Sequence, residues 1–498
     1  MAHKRKRLTA FLTAASLISA LSSCSSDVGR IYVEAPSAQT TSQPAVTTEA
    51  PTTTQTVTTT TETTTTTTTT TTVAVMRGNI YDSNKTLLTR SELSEDGREM
   101  RYYNSDYQYS VGNIISAASA GLDTELEDTL RVKNPTPVND TDTVGQSVEL
   151  TIDANVQAAI YNYMQNMNIV GSVVVMRTDG SIMSEVSYPS YSPEAYQADP
   201  SYADGLPWGA MGNRAFQNAT PGSCFKIMSE VIADKHGITT LYDDGTWVDG
   251  GATIVNWNHD AGCYPIPNRT LYSAFVDSSN IFFAKVFDQI GTDTALSDLN
   301  SLFHFVDTIN CDFGSIDNNI EVYCADDLRR SAFGQAYVRT CPIYLAALAR
   351  EAVFGDMVKP FVVKNIVDTN DPNSTISAGS APYEVIASIP QEYRQNLLDG
   401  MLGVTGHLEV YVPEGYQLYT KTGTAETGAG DYLYITGCLR NNNDQSAGCP
   451  TYADYSSYKE NGSYIIILQI QNPKDHGFNY ASDSGALYKG IIDTVLAN

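Results

Sequence analysis

Two residues of this 498-residue chain stand out for chemistry: Ser223 and Lys226, three apart in Thr220-Pro-Gly-Ser-Cys-Phe-Lys-Ile-Met228. Thr220, Pro221 and Gly222 are turn and helix-start residues. Apolar Phe225, Ile227, Met228, Val231 and Ile232 come next with helical spacing. The spacing predicts a helix whose first turn holds Ser223. Residues at i and i+3 share a helix face about one turn apart, so the amine reaches the hydroxyl. A serine hydroxyl is a weak nucleophile at neutral pH and needs an adjacent base. A lysine serves as that base if burial lowers its pKa. Alone, the pattern carries little, because Ser456-Ser-Tyr-Lys459 repeats it in a Tyr/Ser-rich stretch that reads as loop. An ordinary polar helix start explains either copy equally well.

Two later motifs give the first copy its meaning. Ser278-Ser-Asn280 comes after Ser223, and Lys421-Thr-Gly-Thr424 comes much later, just before an apolar strand. Three motifs in this order resemble the penicillin-recognising serine acyltransferases. From about Met76 to its end the chain resembles a class B penicillin-binding protein, a D,D-transpeptidase of peptidoglycan cross-linking. Supporting phrases are Arg77-Gly-Asn-Ile-Tyr-Asp82, Leu126-Glu127, Gly145-Gln-Ser-Val-Glu-Leu-Thr-Ile-Asp153 with Gln157, Val186-Ser-Tyr-Pro189, Asn213-Arg-Ala215, and Gly334-Gln335 with Thr340 and Pro342.

The resemblance implies a role for each motif residue. Ser223 is the nucleophile, and its own N–H and that of Thr424 form an oxyanion hole. Lys226 takes the Ser223 proton, and Ser278 relays it to the leaving amine. Asn280 hydrogen-bonds Lys226 and the substrate backbone. Lys421 supplies positive potential, while the Thr422 and Thr424 hydroxyls hold a terminal carboxylate such as that of D-Ala-D-Ala. Gly423, lacking a side chain, lets a substrate strand approach closely. The bland alternatives are a Ser/Asn helix cap at 278–280 and a polar turn at 421–424; neither explains the order.

The elements that must position these residues read as one α/β (α+β) domain over 145–498. Strands are predicted at Val148–Ile152, Gly171–Met176, Ser181–Ser187, Tyr432–Cys438 and Ser463–Ile470, the last two antiparallel neighbours. Helices are predicted at Ala154–Met167, Ser273–Ile290, Cys341–Val353 and Ala486–Leu496. The family resemblance implies an antiparallel sheet flanked by helices; periodicity alone gives only mixed α and β. Residues 73–144 read as a small module with strand-like Met76–Asp82 and helix-like Val111–Ala120, which the resemblance implies is a pedestal before the transpeptidase domain. Cys224, one residue past the nucleophile, points about 100° away and reads as core. His259 reads as a loop histidine, and the 31 tyrosines fit a glycan-binding groove or merely a Tyr-rich surface.

The first 23 residues read as an export signal: Lys4–Arg7, then apolar Leu8 to Leu21, too short to span a bilayer that needs about 20 residues. Leu21-Ser-Ser-Cys24 resembles a bacterial lipobox, which implies lipidation of Cys24; an uncleaved anchor helix is the alternative. Residues 24–72, ending in the threonine run Thr63 to Thr72, offer almost no large apolar residues and read as an extended stalk. A net charge of −26 argues against nucleic acid and against adsorption to an anionic membrane through a basic face. The chain has eight cysteines, no Cys-x-x-Cys and scattered histidines, so neither a metal site nor a cofactor is expected. Cys311/Cys324 and Cys438/Cys449 are near enough in sequence to pair, with free buried thiols the equal alternative.

These readings converge on a lipid-anchored enzyme at the outer face of a bacterial cytoplasmic membrane. It would cross-link peptidoglycan stem peptides through an acyl-enzyme on Ser223 and be trapped by β-lactams. A separate glycosyltransferase is the partner that the short pedestal implies. Rivals with the same motifs are a D,D-carboxypeptidase, a β-lactamase, a β-lactam-acylated sensor and a non-catalytic scaffold. The pedestal and stalk count against a secreted β-lactamase, and the complete motif set against a scaffold.

Overall fold

The computed structural model describes residues 75–116, 121–138, 143–249, 251–258, 264–427, 430–444 and 462–498. Cys24, the stalk, His259, Cys449 and the second Ser-x-x-Lys at 456–459 lie outside the described residues.

The strands that organise the chain are β1 (Gly171–Arg177), β2 (Ile182–Tyr188), β3 (Tyr416–Ala425), β4 (Tyr432–Asn441) and β5 (Tyr464–Gln471). They form one sheet in the order β3-β4-β5-β1-β2, every pair antiparallel. β1 and β5 are buried along their whole length. Successive strand side chains point to opposite faces, and the sheet accordingly divides its apolar residues between two cores. Val174, Met176, Tyr434, Cys438, Ile465 and Ile467 face one core; Val173, Val175, Leu433, Ile435, Ile466 and Leu468 face the other. A continuous run such as Ile465-Ile-Ile-Leu468 is what a strand covered on both sides requires.

Seven helices matter to the site: α1 (Ala154–Asn166), α2 (Lys226–Lys235), α3 (Leu271–Val276), α4 (Asn280–Ile290), α5 (Pro342–Phe354), α6 (Arg394–Gly406) and α7 (Gly485–Ala497). Asp153 caps α1 by accepting from the N–H groups of Asn155 and Val156. Residues of α1 and α7 pack in the core that holds Val173 and Ile466; α2, α4 and α5 pack in the other. Every residue of α5 is buried.

A second sheet has the order Thr375–Ala378, Val363–Val367, Ser147–Leu150, Ile80–Tyr81, Leu87–Leu93, Glu99–Tyr103. The strand read at Val148–Ile152 thus lies here and not in the main sheet. Ser147–Leu150 runs parallel to Ile80–Tyr81 and antiparallel to Val363–Val367. This sheet takes strands from both sides of residue 145. The helix read at Val111–Ala120 spans Gln108–Ile115.

The single helix read at Ser273–Ile290 is two helices, α3 and α4, broken at Asp277–Ser279. Ser278 has φ +58, a left-handed conformation that costs an L-residue roughly 1 kcal/mol. Ser279 then starts α4 afresh, its hydroxyl accepting from Phe282 N at 3.0 Å. A continuous apolar pattern hides such a break. Of the proposed cysteine pairs, Cys311 and Cys324 are free thiols, as is Cys438.

Candidate active site

Ser223 lies in a 3-10 turn, Gly222–Phe225, that runs directly into α2. The tighter turn keeps the i, i+3 relation, and Lys226 Nζ is 3.0 Å from Ser223 Oγ. Lys226 also reaches Ser278 O at 2.7 Å, Ser278 Oγ at 3.1 Å and Asn280 Oδ1 at 2.8 Å. The helix break is what turns Ser278 toward it. From β3, the edge strand of the main sheet, Lys421 Nζ reaches Ser278 Oγ at 3.2 Å and Thr422 O at 3.0 Å. One hydroxyl, Ser278 Oγ, therefore sits between two lysine amines.

Both lysines are fully buried. Burial, followed by the Lys421 and Arg269 cations, holds the Lys226 amine well below the ordinary lysine range, with Asp243 opposing. Burial brings Lys421 down to about 8. The partners of Lys226 fit this. Two are oxygens that only accept, Ser278 O and Asn280 Oδ1, and two are hydroxyls. A neutral amine has two N–H donors and one lone pair, which leaves the lone pair for a hydroxyl once both carbonyl oxygens are served.

Ser223, Ser278, Asn280, Thr422 and Thr424 line one cleft of about 1170 Å³. Gly423 does not, and its role differs from the sequence reading. A Cβ there would lie 2.6 Å from Pro221 O and 2.8 Å from Cys224 Sγ. The close approach is that of the chain's own nucleophile turn, not of a substrate strand. Gly334 buttresses the same turn from behind: its carbonyl accepts from Gly222 N at 3.0 Å, and a Cβ would meet Gly222 O at 2.1 Å. Cys224 is core as read: its Sγ donates to Lys421 O at 3.5 Å, and burial pushes its thiol up to about 11. Asn213-Arg-Ala215 is locked against β2, with Arg214 N donating to Ser187 Oγ at 2.9 Å and Asn213 donating to the buried Glu185.

The structure thus gathers Ser223, Lys226, Ser278, Asn280, Lys421, Thr422 and Thr424, from three separate segments, around one cleft. The family model described as penicillin binding protein transpeptidase domain matches residues 171–493. The chain belongs to that family. Its transpeptidase domain also shares its fold with solved structures. The D,D-transpeptidase domain of a peptidoglycan glycosyltransferase from Eggerthella lenta aligns with a TM-score of 0.66 at 21% identity, over 85% of this chain and 99% of that one. An imipenem acyl-enzyme complex of penicillin-binding protein A from Mycobacterium tuberculosis aligns at 0.67 and 20%, over 85% and 99%. PBP2 from Pseudomonas aeruginosa, in complex with WCK 5153, aligns at 0.65 and 18%, over 85% and 96%.

The sequence reading missed the groups behind the transpeptidase's Ser278 turn: Asp243, Asn256 and Arg269. Asn256 Nδ2 donates to both Asp243 oxygens at 3.1 Å, and Arg269 pairs with Asp243 at 2.8 Å. No periodicity links residues so far apart, and only the folded chain brings them together.

Proposed function

We propose that the chain is a peptidoglycan D,D-transpeptidase that works through an acyl-enzyme on Ser223. One observation carries this reading: the Lys226 amine, buried and depressed in pKa, lies within hydrogen-bond reach of both Ser223 Oγ and Ser278 Oγ, two residues that line the cleft. Ser223 Oγ attacks the carbonyl carbon of the penultimate D-Ala while its proton passes to Lys226 Nζ. The charge that develops on the carbonyl oxygen faces the Ser223 and Thr424 N–H groups. As the C–N bond breaks, Ser278 Oγ gives its proton to the departing D-Ala nitrogen and takes one from Lys226. An acceptor amine then attacks the ester carbonyl and loses a proton, which the same groups pass to Ser223 Oγ as its ester C–O bond breaks. Thr422 and Thr424 hold the terminal carboxylate, Lys421 supplies positive potential from behind them, and Asn280 orients the donor backbone. A β-lactam carbonyl meets the same nucleophile, and its leaving nitrogen stays tethered.

The mature protein is further proposed to be held to the membrane by a lipid on Cys24, with the threonine-rich stalk giving reach and a separate glycosyltransferase supplying glycan strands. Among the described residues no helix is long and apolar enough to cross a membrane.

The test is to incubate the protein with a stem pentapeptide ending in D-Ala-D-Ala and an acceptor amine. Free D-Ala and a cross-linked peptide are expected, and both disappear in Ser223→Ala. Hydrolysis without cross-linking would instead identify a carboxypeptidase, and rapid β-lactam turnover a β-lactamase.

A further inference from the structure

One wall of the transpeptidase cleft is formed by Thr253–Val255, from the strand Ala252–Val255 that pairs with Thr246–Asp249, and by Asn256 and Trp257 after it. This wall grips the Ser278 turn at several points. Trp257 Nε1 donates to Asp277 O at 2.8 Å, and Asn280 Nδ2 donates to Val255 O at 2.9 Å. Asn256 Oδ1 accepts from Asn280 N at 2.8 Å and Ile281 N at 3.3 Å. Asp243 fixes the orientation of Asn256. Both carboxylate oxygens take the Asn256 amide, while Ser279 Oγ donates to Asp243 at 2.7 Å, Gly245 N donates at 3.0 Å, and Arg269 pairs with it. Asp243, Asn256, Arg269 and Ser279 are all buried.

The first N–H groups of a helix need acceptors from outside it. For α4, Ser279 already serves as the local cap, through Phe282 N. Asn256 supplies a second acceptor from 24 residues upstream, and it does so on the residues just past the left-handed Ser278. A serine held in that backbone conformation stays there only while its surroundings over-determine it. We infer that Asn256, clamped by Asp243, is a positioning residue for acyl transfer: it fixes the Ser278–Asn280 turn so that Ser278 Oγ stays between the amines of Lys226 and Lys421. The contacts at stake are 3.1 and 3.2 Å long, so a shift of well under 1 Å in the turn breaks them. The inference rests on the acyl-transfer reading above.

The experiment is saturation kinetics of acylation by a fluorescent penicillin, which separates the dissociation constant of the initial complex from the acylation rate constant. In Asn256→Ala the rate constant falls about tenfold or more, the scale of a small misplacement at a reacting centre, while the dissociation constant stays within about twofold. The double variant Asp243→Asn/Asn256→Asp restores a carboxylate–amide pair and acylates faster than Asn256→Asp alone. Should Asn256→Ala fail to fold, Ser279→Ala, which cuts the tie from Asp243 to the turn, carries the same rate test. A folded Asn256→Ala, or Ser279→Ala in its place, that acylates at the parent rate would overturn the inference and leave the acyl-transfer reading standing. A loss confined to the dissociation constant, or a double variant no faster than Asn256→Asp, would equally overturn it. A parent protein that is not acylated would overturn both.

Discussion

Adding one methyl group at Gly423 tests how tightly the third motif is built against the nucleophile. In Gly423→Ala the new Cβ starts 2.6 Å from Pro221 O and 2.8 Å from Cys224 Sγ, whereas ordinary contact begins near 3.4 Å. Relief requires the Pro221–Cys224 turn and β3 to part by roughly 0.8 Å, and Ser223 rides on that turn. The clash acts on both stability and rate, and the two costs differ in size. Overpacking of a rigid backbone contact costs about 1–3 kcal/mol of stability, which a domain of this size survives. Displacing the nucleophile by nearly 1 Å costs about a hundredfold in rate. The variant is therefore expected to stay folded and to lose acylation. Thermal melts and the acylation rate constant for a fluorescent penicillin read the two effects separately. A Gly423→Ala protein that acylates at the parent rate would refute this reasoning, because it would show that the turn and β3 separate without moving Ser223 Oγ.

Charge and anchoring give further tests. Lys226→Arg keeps a cation but removes the base, since a guanidinium stays protonated; acylation is expected to fall about a hundredfold or more. In the parent, acylation is expected to fade as pH drops through the depressed Lys226 pKa, and a rate–pH profile with no such limb would contradict this. Lys421, brought from 10.5 to about 8 by burial, binds fewer protons folded than unfolded between those two values. Its burial penalty is therefore fully present below about pH 8 and fades as pH rises toward 10.5. Lys421→Met is expected to abolish activity yet stabilise the fold at pH 7 by on the order of 3 kcal/mol, with the gain shrinking toward pH 10 in denaturant titrations. Cys24→Ser is expected to block processing and lipidation, read by N-terminal peptide mass after membrane isolation; a mature chain that retains Lys4–Leu21 would favour an anchor helix.

Much of the site was legible because its motifs are local. Ser223 and Lys226 are three residues apart on one helical turn, so sequence spacing and spatial distance nearly coincide. The buried central strands betray themselves by unbroken β-branched stretches, whereas Lys421–Thr424 lies inside β3, a strand without apolar alternation to reveal it. What escaped depends on tertiary packing. The break between α3 and α4 is invisible because Ile281, Phe282 and Phe283 continue an apolar pattern across it, although the left-handed Ser278 is what aims the second hydroxyl. Gly423 reads as room for substrate until the nucleophile turn is seen to occupy that room. Val148–Ile152 reads as a strand, but the sheet that the observed Ser147–Leu150 joins is decided by Val363–Val367, more than two hundred residues away. The cysteine spacing permitted a Cys311–Cys324 bridge that the fold does not make.

Everything above turns on Ser223, and no other nucleophile in the cleft, carrying the acyl group. The most direct measurement is peptide mapping by mass spectrometry after reaction with a penicillin, for the parent and for Ser223→Ala. One adduct is expected in the parent, on Ser223, and none in Ser223→Ala. An adduct on Cys224 or Ser278, or one that survives the Ser223→Ala substitution, would contradict the assignment.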